Sequence, residues 1–177
     1  AVEHMNATQV VILPNNKNII PVANQIDALT TKDVRVVPTC SMPEALAALV
    51  SYDPEASAET NARNMTSAAQ SVATGEITQA VRDTSSDVGA VTVGDWIGLV
   101  RGDGIVAVSG SLTGAATALL GQLISDGGEL LTIITGIDAS TTQTEHITTW
   151  VSQQHPDITV EVHHGDQPLY PYLFGVE

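Results

Sequence analysis

The sequence predicts an α/β domain: an open, mainly parallel sheet with helices on both faces and one antiparallel hairpin element. Three observations predict it. Short Val/Ile-rich runs alternate with segments of helical periodicity near the N-terminus. Turn and helix-start residues stand directly after those runs. Further along, an Asp-Gly pair joins two apolar runs, as in a hairpin.

Residues 9–13 are a buried strand, stopped by Pro14, Asn15 and Asn16. Residues 18–29 place Ile19, Val22, Ala23, Ile26 and Leu29 at helical spacing, with Pro21 in the first turn, where its missing N–H costs nothing. Residues 34–37 form a second strand, ended by Pro38. Ser41 and Glu44 make an S-x-x-E capping box for an Ala/Leu-rich helix reaching Val50. After a polar loop, residues 60–73 carry a helical stripe of Ala62, Met65, Ala69 and Val72, closed by Gly75. Residues 76–84 alternate as a strand. Residues 94–109 read as a hairpin turning at Arg101, Gly102, Asp103 and Gly104. A helix follows over 112–124, then a buried strand over 129–135. Thr142 and Glu145 form a second capping box, opening a helix through Val151. A strand over 158–163 and a closing tail over 168–177 complete the chain. That tail holds two of the three tyrosines and the only phenylalanine, so it is expected to be ordered.

At 177 residues the chain has the length of one domain, and its abrupt start before a strand is that of a piece of a longer protein. Charged residues are 15%, too few for a disordered chain of high charge. Six Lys and Arg face 20 Asp and Glu, a net charge of −14. Such a surface repels phosphate backbones and anionic membranes, which argues against nucleic-acid partners. No apolar run approaches the ~20 residues of a membrane helix, and no basic cluster with a following apolar run marks a secretory signal, so a cytoplasmic protein without membrane insertion is expected.

Catalytic motifs are sparse. The sequence has neither G-x-x-x-x-G-K-[ST] nor G-x-G-x-x-G after the first strand. His163 and His164 are neighbours on a strand and point to opposite faces, so they do not chelate one ion, and no metal site is expected. Cys40 stands before a helix N-terminus, where a thiolate is favoured, or is an inert buried thiol. The polar loops after the first two strands are more informative. Asn15, Asn16 and Lys17 follow the first; Thr39 and Ser41 follow the second. In a parallel sheet both loops lie beyond the strand carboxyl ends, next to helix N-termini, where a carboxylate or phosphate binds. The alternative is that they cap helices. Arg82, in an alternating strand, is either a binding residue or paired with an acid such as Asp83.

Several strings resemble the C-terminal domain of the bacterial fatty acid kinase large subunit, a family also labelled dihydroxyacetone-kinase-like or Dak phosphatase. They are Ile12-Leu13-Pro14-Asn15-Asn16-Lys17-Asn18-Ile19-Ile20, then Val37-Pro38-Thr39, Gly75-Glu76-Ile77-Thr78 with Ala80-Val81-Arg82-Asp83-Thr84, and Gly165-Asp166-Gln167-Pro168-Leu169-Tyr170-Pro171-Tyr172 with the final Val176-Glu177. The resemblance implies a fold related to DegV-type lipid-binding proteins. It implies a parent chain with an ATP-dependent kinase domain, and a docking role toward a DegV-type fatty-acid-binding subunit that carries the acyl substrate. It brings Gln167 and Tyr170 among the partner-binding candidates, Tyr being favoured at interfaces. The family's Asp-Gly-Asp nucleotide motif is absent from the sequence, so no cofactor is expected in this domain. Two functions stand side by side: a non-catalytic docking module, or a small-anion, fatty-acid-binding or phosphatase-like domain using the crevice loops.

Overall fold

A computed structural model describes all 177 residues. The chain forms two compact units, Ala1–Val72 and Ala73–Glu177.

In the first unit, β1 (Gln9–Ile12) and β2 (Asp33–Val36) pair in parallel, with Val10 opposite Val34. Parallel pairing needs a crossover. Here it contains only a short helix, α1 (Ile20–Ala23), and a 3-10 turn, Asp27–Leu29. The twelve-residue helix expected from the apolar spacing does not form. Ile19, Val22 and Leu29 stay exposed, so burial does not stabilise a marginal helix, and the Asp27 carboxylate accepts the Val34 N–H at 3.2 Å, tying the turn to β2. Two longer helices, α2 (Met42–Val50) and α3 (Ala58–Gln70), pack on each other. Their core is Val37, Ala48, Met65 and Ala69, with Val11, Leu13 and Ala62 at its margin. Ser57 caps α3 by accepting the Thr60 N–H at 3.2 Å.

The second unit is built on a six-stranded sheet. Its strands are β3 (Ala73–Gln79), β6 (Trp96–Val100), β7 (Gly104–Ser109), β8 (Leu130–Thr135), β9 (Thr159–His164) and β10 (Tyr172–Val176), in the order β7-β6-β3-β10-β8-β9. A ribbon of β4 (Thr84–Ser86) and β5 (Gly89–Val91) leaves the sheet after β3. The helices are α4 (Leu112–Leu123) and α5 (Thr141–Gln154). The α/β class is as the sequence predicts, and the hairpin turns at Arg101–Gly104, with Gly102 and Gly104 at positive φ.

The pairing departs from a mainly parallel sheet. Only β8–β9 is parallel here, because α5 supplies its crossover; the other four pairs are antiparallel. The closing tail is the cause at the centre. It returns as β10 and inserts between β3 and β8, antiparallel to both. α4 and α5 share one core with Ile77, Leu131, Ile133, Tyr172 and Phe174, which all project from the same face. Val91 of the ribbon packs with Ala80 and Ile97 in a separate cluster.

Two local expectations change. Gly75 does not end α3; it lies within β3, where an added Cβ would stand 2.9 Å from Leu123 Cδ1 and 3.0 Å from Leu119 Cδ2. The glycine is there so that α4 can approach the strand. The box that opens α5 is Ser140 with Gln143, two residues ahead of Thr142 and Glu145.

Candidate functional site

The loops after β1 and β2 meet in the first unit, as adjacent parallel strands require. Asn15 takes φ +54, a conformation Asn tolerates better than most residues. Its N–H donates to Thr39 Oγ1 at 3.2 Å, and its Oδ1 accepts the Thr39 hydroxyl at 2.7 Å. Thr39 is fully buried. Asn16 Oδ1 accepts the Asn18 N–H at 2.8 Å, a local Asx turn. Lys17 is exposed.

At the start of α2, Ser41 Oγ accepts the Glu44 N–H at 3.4 Å. Glu44 does not complete the reciprocal box on Ser41. Its Oε2 accepts the Cys40 N–H at 2.6 Å, one residue earlier, and Glu44 is buried. The carboxylate that a helix N-terminus favours is thus supplied by the chain itself. The Cys40 thiol lies 3.8 Å from the Pro38 carbonyl. Of the polar groups that read as a ligand cradle in sequence, Asn15 and Thr39 are engaged with each other and Ser41 with Glu44. The part played by Glu44 was visible only as a capping residue.

The other three candidates lie in the second unit, at one end of its sheet. There β3, β8 and β9 finish and β6 and β10 begin. Arg82 is exposed and sits in a bend after β3, not in a strand, because the chain leaves the sheet there for the ribbon. Asp83 turns its carboxylate to the Val93 N–H at 2.8 Å. Gln167 fixes the loop between β9 and β10: its Nε2 donates to Tyr170 O at 3.0 Å and Ile134 O at 3.3 Å. A Cβ on Gly136 would collide with the carbonyls of Tyr170 and Gln167, so a glycine is required beside this loop. The Tyr170 phenol is raised above its ordinary value, first by the negative charge of Glu76 and then by burial. Burial likewise raises the Glu76 carboxyl.

No group of three or more His, Cys, Asp and Glu side chains is placed to hold a metal ion. A depression along α5 is lined by Thr142, Glu145, His146, Thr149, Trp150 and Gln153, all from that one helix, so it is a surface groove and not an enclosing pocket. No helix is long and apolar enough to cross a membrane.

Comparison with known proteins adds the family. The FakA-like family of fatty acid kinase C-terminal domains matches residues 1–177. The chain belongs to this family. Protein YloV of Bacillus subtilis (strain 168) is 40% identical over 177 residues, all of this chain and 32% of that protein. An uncharacterized protein of Staphylococcus haemolyticus (strain JCSC1435) is 40% identical over 176 residues, 99% of this chain and 32% of that protein. The chain thus spans about a third of the length of these curated relatives. Among solved structures, the DegV family protein Cg2579 from Corynebacterium glutamicum superposes with a TM-score of 0.69 at 16% identity, over 96% of this chain and 75% of that one. A DegV family protein from Ruminococcus gnavus ATCC 29149, described with vaccenic acid, gives 0.63 at 12% identity, over 99% and 74%. At such identities the likeness is one of fold: the chain has a DegV-like fold.

Proposed function

We propose that this domain is a non-catalytic docking module of a cytoplasmic fatty acid kinase. It holds an acyl-carrying DegV-type subunit while a separate, ATP-dependent kinase domain of the parent chain phosphorylates the acyl carboxylate. The observation that carries the reading is the match of all 177 residues to the C-terminal family of the kinase. The first-unit loops fit it: Thr39 and Asn15 are bonded to each other, and Glu44 occupies the N-terminus of α2, so a second carboxylate there would meet an existing one. That arrangement weighs against an anion-binding or phosphatase-like role for the crevice. The test is a pull-down with immobilised chain and the DegV-family proteins of the same organism, with and without bound fatty acid. Retention of the acyl-loaded protein is expected. Failure to retain any of them sinks the docking reading.

A further inference from the structure

The large sheet has two edges, β7 and β9. The β6–β7 ladder is broken by a register shift beside Gly98 and Leu99, an irregularity that spoils a strand as a template for another. β9 has no such interruption. It pairs with β8 over all six residues, Thr159–His164, and five of the six are exposed. It contains no Pro, Lys or Gly, the residues that usually blunt an open edge. Such a strand offers backbone donors and acceptors that a further strand can take up.

The ladder fixes which groups those are. The Thr159 N–H donates to Glu129 O and the Gly165 N–H to Thr135 O, each at 2.9 Å. In a parallel ladder alternate residues bond to the same neighbour, so Glu161 and His163 also turn toward β8. Val160, Val162 and His164 turn their N–H and C=O groups outward, where no other strand pairs with them. These three are symmetric about Val162. An antiparallel copy centred there sets Val162 against Val162 and Val160 against His164, each pair exchanging both backbone bonds.

Side chains choose the register. Glu161 and His163 share one face of β9, with His163 Nε2 3.4 Å from Glu161 Oε2 and both side chains half exposed. Centred on Val162, Glu161 of each copy stands opposite His163 of the other, so acceptor and donor alternate around the two-fold axis. Moving the pairing by two residues sets Glu161 against Glu161 in one direction and His163 against His163 in the other. Both shifts oppose like groups and are disfavoured.

We propose that β9 is the seam of a two-fold dimer: two copies of this chain pair edge to edge, antiparallel about Val162, and their six-stranded sheets join into one. The occupant is a second copy because the strand is its own complement in backbone and in charge. The net charge of −14 opposes association at long range, so the contact is favoured where salt screens that repulsion.

Sedimentation equilibrium of the full chain tests this at about 0.15 M salt, from about 1 μM to about 1 mM protein. The mass should rise from 18.5 kDa toward twice that value. Val162→Pro removes an outward N–H that β8 does not use, and should weaken dimerisation by about tenfold or more with the circular dichroism spectrum unchanged. Glu161→Lys sets Lys against His163 and should weaken it severalfold; adding His163→Glu restores opposite pairs and should restore the dimer. Both of these side chains are exposed, so the charge variants decide the matter even if Val162→Pro fails to fold. A mass that stays at 18.5 kDa across the range overturns the proposal. So does a dimer that Glu161→Lys leaves intact, or one that the added His163→Glu does not restore.

Discussion

Thr39 and Asn15 form a two-way lock: the Asn15 N–H donates to the Thr39 hydroxyl oxygen at 3.2 Å, and that hydroxyl donates back to Asn15 Oδ1 at 2.7 Å. The lock joins the loops that follow β1 and β2, 24 residues apart in sequence. Thr39→Val keeps the side-chain shape and removes both bonds, leaving a part-buried N–H and amide oxygen to find other partners. The expected loss is about 1–2 kcal/mol, read from urea denaturation followed at the first unit.

Phe174 and Tyr172 stack with ring centroids 5.9 Å apart, both fully buried, and the Tyr172 hydroxyl shares a 2.8 Å hydrogen bond with Thr144 of α5. Phe174→Ala should cost about 3–5 kcal/mol. Deleting residues 168–177 removes the strand that joins β3 to β8, and should destabilise the protein or abolish docking. A truncated chain with unchanged melting temperature and partner affinity would show that the segment does neither.

Gly98 faces Ala107 Cβ and Leu119 Cβ, each 3.0 Å from where its own Cβ would stand. These atoms sit close to the backbone and cannot swing aside. Gly98→Ala should therefore destabilise by about 1–3 kcal/mol by overpacking, measurable as a lowered denaturation midpoint.

Glu76 gives a pH dependence of known sign. Its folded carboxyl is raised above the ordinary 4.5 by burial, so the folded chain holds this proton to higher pH than the unfolded chain does. Its contribution to stability is complete below 4.5 and is lost as pH rises through the folded value. Glu76→Gln should flatten that decline. Denaturation midpoints from about pH 4 to about pH 8 check it, and identical slopes in both proteins would refute it.

The domain alone should not respond to nucleotide. Its sequence carries no nucleotide or Mg²⁺ motif. Thermal shift with Mg²⁺-ATP should leave the melting temperature where it is; a saturable rise of several degrees would overturn this.

Local signals reached far into the fold. Ser41 before an Ala/Leu run, the Asp-Gly turn at residues 103–104 and the apolar run of β8 each name an element, because capping, turn geometry and burial act within a few residues. The order Pro38-Thr39-Cys40-Ser41 sufficed to place Thr39 beside the Asn15 loop, given parallel strands. The same reasoning failed where an element depends on a distant partner. Residues 18–29 have helical spacing, yet no apolar surface covers Ile19, Val22 and Leu29. Gly75 looks like a helix stop until α4 is seen against it.

By itself, the sequence determined the α/β class, most element positions, the acidic surface and, through the order of its motifs, the family to which the chain belongs. Only the tertiary structure decided that the tail is a central strand and that four of five pairs in the large sheet are antiparallel. The physical reason is that strand order and direction are set by contacts between residues far apart in the chain. Glu76 and Leu173, 97 positions apart in numbering, face each other in the sheet, and no local pattern in either segment encodes that pairing.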